Sequence, residues 1–170
     1  PRSTLDGTSE LPFVGREAEL DLLQELQGGP KLILIEGEPG IGKSCLAEQY
    51  IRISGALGLV GAARELEQTL PYHPLIEALR KLLAHADWPV YSRNLDLAPI
   101  WRAEITRLLP ELLPNGPPPV TADETRLWEA VSQLLQSLAR AQSLMLFLDD
   151  IQWADTATLG LLAYLARRSS

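Results

Sequence analysis

Apolar positions along the chain follow two periods, and their alternation predicts the elements. In 17–27, Leu20, Leu23 and Leu26 recur at helical spacing, and Gly28-Gly29-Pro30 stops the run. A short continuous apolar stretch, Leu32-Ile33-Leu34-Ile35, follows in 31–36 and predicts a buried strand. The spacing then predicts a helix over 43–53, a short strand of small residues over 58–63, and a helix over 74–84 carrying Leu75, Leu79, Leu82 and Leu83. A looser stretch covers 88–97, and a further helix is expected over 99–113. The prolines of Pro114-Asn115-Gly116-Pro117-Pro118-Pro119 exclude helix and central strand, which leaves a surface loop. Thr121 and Glu124 form a capping box for a long helix ending near Arg140, with Leu127, Trp128, Val131, Leu134, Leu135 and Leu138 on one face. A second unbroken apolar run, 144–148, predicts another buried strand, and 156–168 a closing helix. Residues 1–10 read as a disordered lead-in.

Composition narrows the class without naming a chemistry. A chain of 170 residues with 46% hydrophobic content and a mean hydropathy of +0.01 is expected to be one soluble globular domain. No apolar run approaches the roughly 18 residues that span a bilayer, so no membrane partner is expected. The single cysteine, Cys45, forbids an internal disulfide and fits a reducing, cytoplasmic setting. Its place on the 43–53 helix predicts buried packing. The net charge of −7 and pI of about 4.8 offer no basic stripe, so direct nucleic-acid binding by this domain is not expected. His73 and His85 have no cysteine or histidine neighbours at ligand spacing, which argues against a zinc-type site.

The chemistry concentrates in Gly37-Glu38-Pro39-Gly40-Ile41-Gly42-Lys43-Ser44, which fits G-x-x-x-x-G-K-[ST], the Walker A phosphate loop. It stands between a predicted strand and a predicted helix, the setting the motif requires. Its glycines let the chain curl so that backbone N–H groups from Gly37 through Cys45 face an anion at the positive end of the helix. Lys43 then reaches the β- and γ-phosphates, and the Ser44 hydroxyl can ligate Mg²⁺. A turn that merely favours glycine would account for the glycines but not for Lys43-Ser44.

The run Leu144-Met145-Leu146-Phe147-Leu148 ends in Asp149-Asp150, the Walker B form. Ligands of open α/β sheets bind outside the carboxyl ends of the strands, so Asp149 belongs beside the phosphate loop. There it can hold Mg²⁺ together with Ser44. Asp150 is the candidate for positioning or deprotonating an attacking water.

Phe13-Val14-Gly15-Arg16-Glu17-Ala18-Glu19-Leu20, the Walker A segment and Leu148-Asp149-Asp150-Ile151-Gln152-Trp153-Ala154-Asp155 occur in this order. Together they resemble the AAA-type ATPase domain of STAND signal-transduction proteins, which is similar to the origin-recognition AAA ATPases. The middle stretch, Gly61-Ala62-Ala63-Arg64-Glu65 and Leu70-Pro71-Tyr72-His73-Pro74-Leu75, resembles that family's second strand and the loop after it. The resemblance implies a P-loop NTPase fold, a three-layer α/β/α domain over 11–170 with a parallel central sheet of strand order 5-1-4-3-2. It also implies that Val14 and Arg16 contact the adenine, whereas the residues alone read as a turn with a hydrophobic staple. The fourth strand with its sensor 1 residue, the following arginine and the lid have no counterpart in the 170 residues. The domain is therefore expected to be truncated at its C-terminus and weak or inactive alone.

Two functions from different classes follow. One is a nucleotide switch that binds ATP or ADP with Mg²⁺ and hydrolyses ATP slowly. The resemblance places such a switch in a larger bacterial regulatory or signalling protein, such as a transcriptional regulator, with other domains of the parent chain and a nucleotide-dependent oligomer as partners. The other is an interaction module that holds nucleotide without useful turnover. A P-loop phosphotransferase is disfavoured by the Asp149-Asp150-x-Gln-Trp-Ala-Asp ending. In that ending Trp153 is expected to pack the loop that carries Asp150, and Asp155 to cap the next helix; a direct part for Gln152 or Asp155 in catalysis is the lesser reading.

Overall fold

A computed structural model describes residues 15–26, 28–29, 31–112 and 123–168. Its helices are α1 (Glu17–Glu25), α2 (Lys43–Ser54), α3 (His73–Leu83), α4 (Trp88–Arg93), α5 (Pro99–Ile105), α6 (Glu124–Ala141) and α7 (Thr156–Arg168). The strands among the described residues are β1 (Leu57–Ala62) and β2 (Leu144–Asp149). They pair in parallel, from Leu57 opposite Leu144 to Ala62 opposite Asp149. Mixed helices and a small parallel sheet are what an α/β P-loop fold requires. No helix among the described residues is long and apolar enough to cross a membrane.

Helices contact both faces of the strand pair. Leu57 and Leu59 of β1, with Leu144, Leu146 and Leu148 of β2, join the main core built by α3, α5, α6 and α7. On the opposite face Met145 packs with Leu23 of α1 and with Leu46 and Tyr50 of α2. The small residues of β1 are explained by close approach. A Cβ on Gly58 would stand 2.6 Å from Ile51 of α2, and one on Gly61 would stand 1.9 Å from the Pro74 carbonyl oxygen of α3. A backbone atom cannot swing aside as a side chain can. Gly61→Ala is therefore expected to push α3 off the sheet and cost about 1–3 kcal/mol or more. Urea denaturation measures this, and an unchanged midpoint would show that α3 does not need the contact.

Several predicted elements take a different form. The segment 31–36 is not a strand: it joins no sheet among the described residues, and Leu32, Ile33 and Leu34 are 64%, 41% and 67% exposed. A buried strand exists only where neighbours satisfy its backbone and cover its side chains, and this segment makes no backbone–backbone hydrogen bond among the described residues. The parallel sheet thus has two described strands where the sequence predicts three. The helix expected over 99–113 ends at Ile105 and gives way to a turn and a 3₁₀ segment at Pro110–Leu112. Pro110 lacks an N–H and disfavours helical backbone at Leu109. The cap of α6 is Asp123, whose side chain accepts from the Thr125 N–H at 2.9 Å. Thr121, the 114–119 loop, Val14 and the lead-in 1–10 lie outside the described residues.

Candidate nucleotide site

The phosphate loop leads directly into α2. Gly40 has φ +76° and Gly42, the residue preceding the helix, has φ +90°. That left-handed backbone, strained for residues with a Cβ, is why glycine stands at both positions. No side chain caps α2, so its first amides keep no side-chain partner at the positive end of a 12-residue helix. A Cβ on Gly37 would come within 3.2 Å of Ile41 Cγ2, so a side chain there would crowd the inside of the curl. Lys43 Nζ is folded back across the loop, donating to the carbonyls of Gly37 and Glu38 at 3.0 Å each. Glu38, Pro39 and Ile41 complete the curl, with the Ile41 N–H donating to Glu38 O at 3.3 Å.

Across the site, Ser44 Oγ donates to Asp149 Oδ2 at 2.5 Å, joining residues 105 apart in the chain. Asp149 Oδ1 accepts from the Asp150 N–H at 2.9 Å, so both carboxylate oxygens are engaged. The run of α2 back along β2 brings its first turn to the carboxyl end of that strand. β2 ends at Asp149, and α2 is held behind it through Met145 and the Ser54 hydroxyl, whose Oγ lies 3.8 Å from Met145 Sδ. A hydroxyl and a carboxylate are hard oxygen donors of the kind Mg²⁺ prefers, and Mg²⁺ characteristically takes only one or two protein groups beside phosphates and water. No group of three or more His, Cys, Asp or Glu side chains among the described residues could hold a metal. The pair therefore fits a cation shared with phosphate and does not fit an all-protein cage.

Asp150 is exposed and left-handed, with φ 51° and ψ 41°. Gln152 Nε2 donates to its Oδ1 at 3.1 Å. Trp153, expected to pack the loop that carries Asp150, is 36% exposed. The turn is fixed instead by Asp155. Its Oδ1 accepts from the Thr158 N–H at 2.8 Å, capping α7 as expected, and its Oδ2 accepts from the Tyr72 N–H at 3.1 Å as well as from the Thr158 hydroxyl. Tyr72 is a part of the site that sequence reasoning did not single out. It is 5% exposed with φ 61°, and its hydroxyl accepts from Trp128 Nε1 at 2.9 Å. Burial raises its phenol above the ordinary range, opposed by the Trp128 N–H, so the hydroxyl remains neutral. Nothing in its spacing marks it; the only signal is its place in the block Leu70–Leu75 noted for its resemblance.

Arg16 stands beside the loop. Its guanidinium donates to the Ile41 carbonyl, and α1 is tied to α2 by the Tyr50 hydroxyl, which donates to Leu23 O at 2.8 Å. Cys45, expected to be buried, is exposed. The buried face of α2 is Leu46, Ala47 and Tyr50, and the step from Leu46 back to Cys45 turns the thiol away from it.

Residues 12–170 match the family model of the AAA ATPase domain. No curated protein and no solved structure matches. The match runs over nearly the whole chain and includes both the phosphate loop and the Asp149-Asp150 strand end, and on it the chain belongs to the AAA ATPase domain family.

Proposed function

We propose that the chain binds Mg-ATP at Gly37–Cys45 and hydrolyses it slowly, as the nucleotide switch of a larger regulatory or signalling protein of the STAND type. The observation that carries the reading is the Ser44–Asp149 contact, which joins the Walker A and Walker B residues, while the Lys43 ammonium rests on the Gly37 and Glu38 carbonyls of the same loop. Lys43 exchanges its loop carbonyls for β- and γ-phosphate oxygens, and the open amides of α2 hold the same anion. Mg²⁺, when bound, neutralises charge on those oxygens, with Ser44 and Asp149 as its protein ligands. Asp150 takes a proton from water as the water oxygen bonds to the γ-phosphorus. The bond from that phosphorus to the β–γ bridging oxygen breaks, and its electron pair leaves with ADP. Arg16 and Val14 are the proposed adenine contacts; of the two, Arg16 is held to the phosphate loop through the Ile41 carbonyl.

The exposed apolar face of 31–36, whose backbone pairs with no strand among the described residues, supports a further element of the same reading. A fourth strand between 31–36 and β2 would complete a three-layer domain and cover Leu32 and Leu34. Other domains of a parent chain and a nucleotide-dependent oligomer would then read the nucleotide state.

Titration of ATP into the whole protein, with Mg²⁺ and with a chelator, tests the core of the proposal. The parent should bind more tightly with Mg²⁺. Asp149→Asn should lose most of that difference, because one carboxylate charge toward the cation is gone. An unchanged Mg²⁺ dependence in the variant, or no ATP binding by the parent, would overturn it.

A further inference from the structure

We propose that Gln152 is the positioning residue for Asp150, holding its carboxylate from a turn whose far end Asp155 pins to the loop after β1. The inference rests on the reading of Asp150 as the group that activates water.

Asp150 has no fixed orientation of its own. Its side chain is exposed, it lies beyond the last residue of β2, and its left-handed backbone turns it out of the strand line. Neighbouring Asp149 is held by two hydrogen bonds, whereas among the described residues the side chain that holds Asp150 is Gln152, through Oδ1. A carboxamide suits this task. It directs the carboxylate through a hydrogen bond while adding no charge of its own to the site.

Gln152 can position only if its own backbone is held, and both ends of its turn are. Toward β2, the Trp153 N–H donates to Asp150 O at 2.9 Å and the Ala154 N–H to Ile151 O at 3.0 Å. Toward α7, Asp155 binds the Tyr72 amide, and Tyr72 is itself buried and bonded to Trp128 of α6. The strand end, the buried tyrosine and the cap of α7 thus fix a short arc, on which Gln152 is the side chain directed back to Asp150. Left-handed backbone at a residue with a Cβ persists where the surroundings over-determine it; here those surroundings are this arc.

A double-mutant cycle decides the matter. Single-turnover phosphate release is measured in the full chain for the parent, Gln152→Ala, Asp150→Asn and the double variant, with ATP affinity determined by calorimetry. Gln152→Ala should lower the hydrolysis rate about 10- to 100-fold, the scale of a small misplacement of a reacting group, and leave ATP affinity unchanged. In the Asp150→Asn background it should add nothing to the slow residual rate, because its effect passes through Asp150. A Gln152→Ala rate equal to the parent's, with Asp150→Asn inactive, would overturn the role of Gln152 and leave Asp150 standing. Additive losses in the double variant would overturn the route through Asp150. Undiminished hydrolysis in Asp150→Asn, or a parent that binds ATP and never releases phosphate, would overturn both readings.

Discussion

Lys43→Ala is expected to weaken Mg-ATP binding by about 100-fold or more, the largest single effect on affinity in this site. A hydrogen bond to a charged group contributes about 1.5–3 kcal/mol, and tenfold in affinity corresponds to about 1.4 kcal/mol. Losing two such contacts to phosphate therefore removes two or more orders of magnitude. The substitution is mild on the fold. Lys43 opens α2, alanine is the best helix former, and the ammonium's partners in this structure are the Gly37 and Glu38 carbonyls of the loop itself. Calorimetric titration reads the effect, with a thermal melt to show that the variant is folded. Equal affinity in a folded variant would remove Lys43 from the site and, with it, the assignment of the loop as a phosphate cradle.

Asp150→Asn is expected to do the opposite: keep ATP and lose hydrolysis. A positioned general base contributes about 10²- to 10⁴-fold to rate, and that factor should vanish from single-turnover phosphate release. The variant separates chemistry from folding unusually well. Asparagine is among the residues that tolerate left-handed backbone, so the φ of 51° at this position survives. The side chain is exposed, so little packing is lost. The affinity for Mg-ATP should remain near that of the parent because Ser44, Asp149 and Lys43 are untouched. Unchanged phosphate release would reassign the base.

What the sequence determined about this protein is whatever depends on a few consecutive residues. The start of α2 at Lys43 follows from the glycines before it, since Gly40 and Gly42 take the positive φ that most residues avoid. The boundaries of α7 and the end of β2 at Asp149 lie where periodicity and charge put them. The candidate residues Lys43, Ser44 and Asp149 could be named from spacing alone, because a phosphate loop acts through local backbone geometry.

The tertiary structure decided everything that depends on a neighbour. Residues 31–36 have the composition of a buried strand, yet a strand is a relation between chains. With no strand paired to them among the described residues, the same leucines stand exposed. Cys45 lies one residue from the buried face of α2, a difference that helical phase determines only after Leu46 and Tyr50 have found α1 and β2. The partners of Asp150 were beyond sequence reading for the same reason. Gln152 meets Asp150 on a turn that Asp155 ties to the amide of Tyr72, 83 residues away. A hydrogen bond across that separation is specified by how α3, α6 and β1 pack, and no local pattern of residues encodes it.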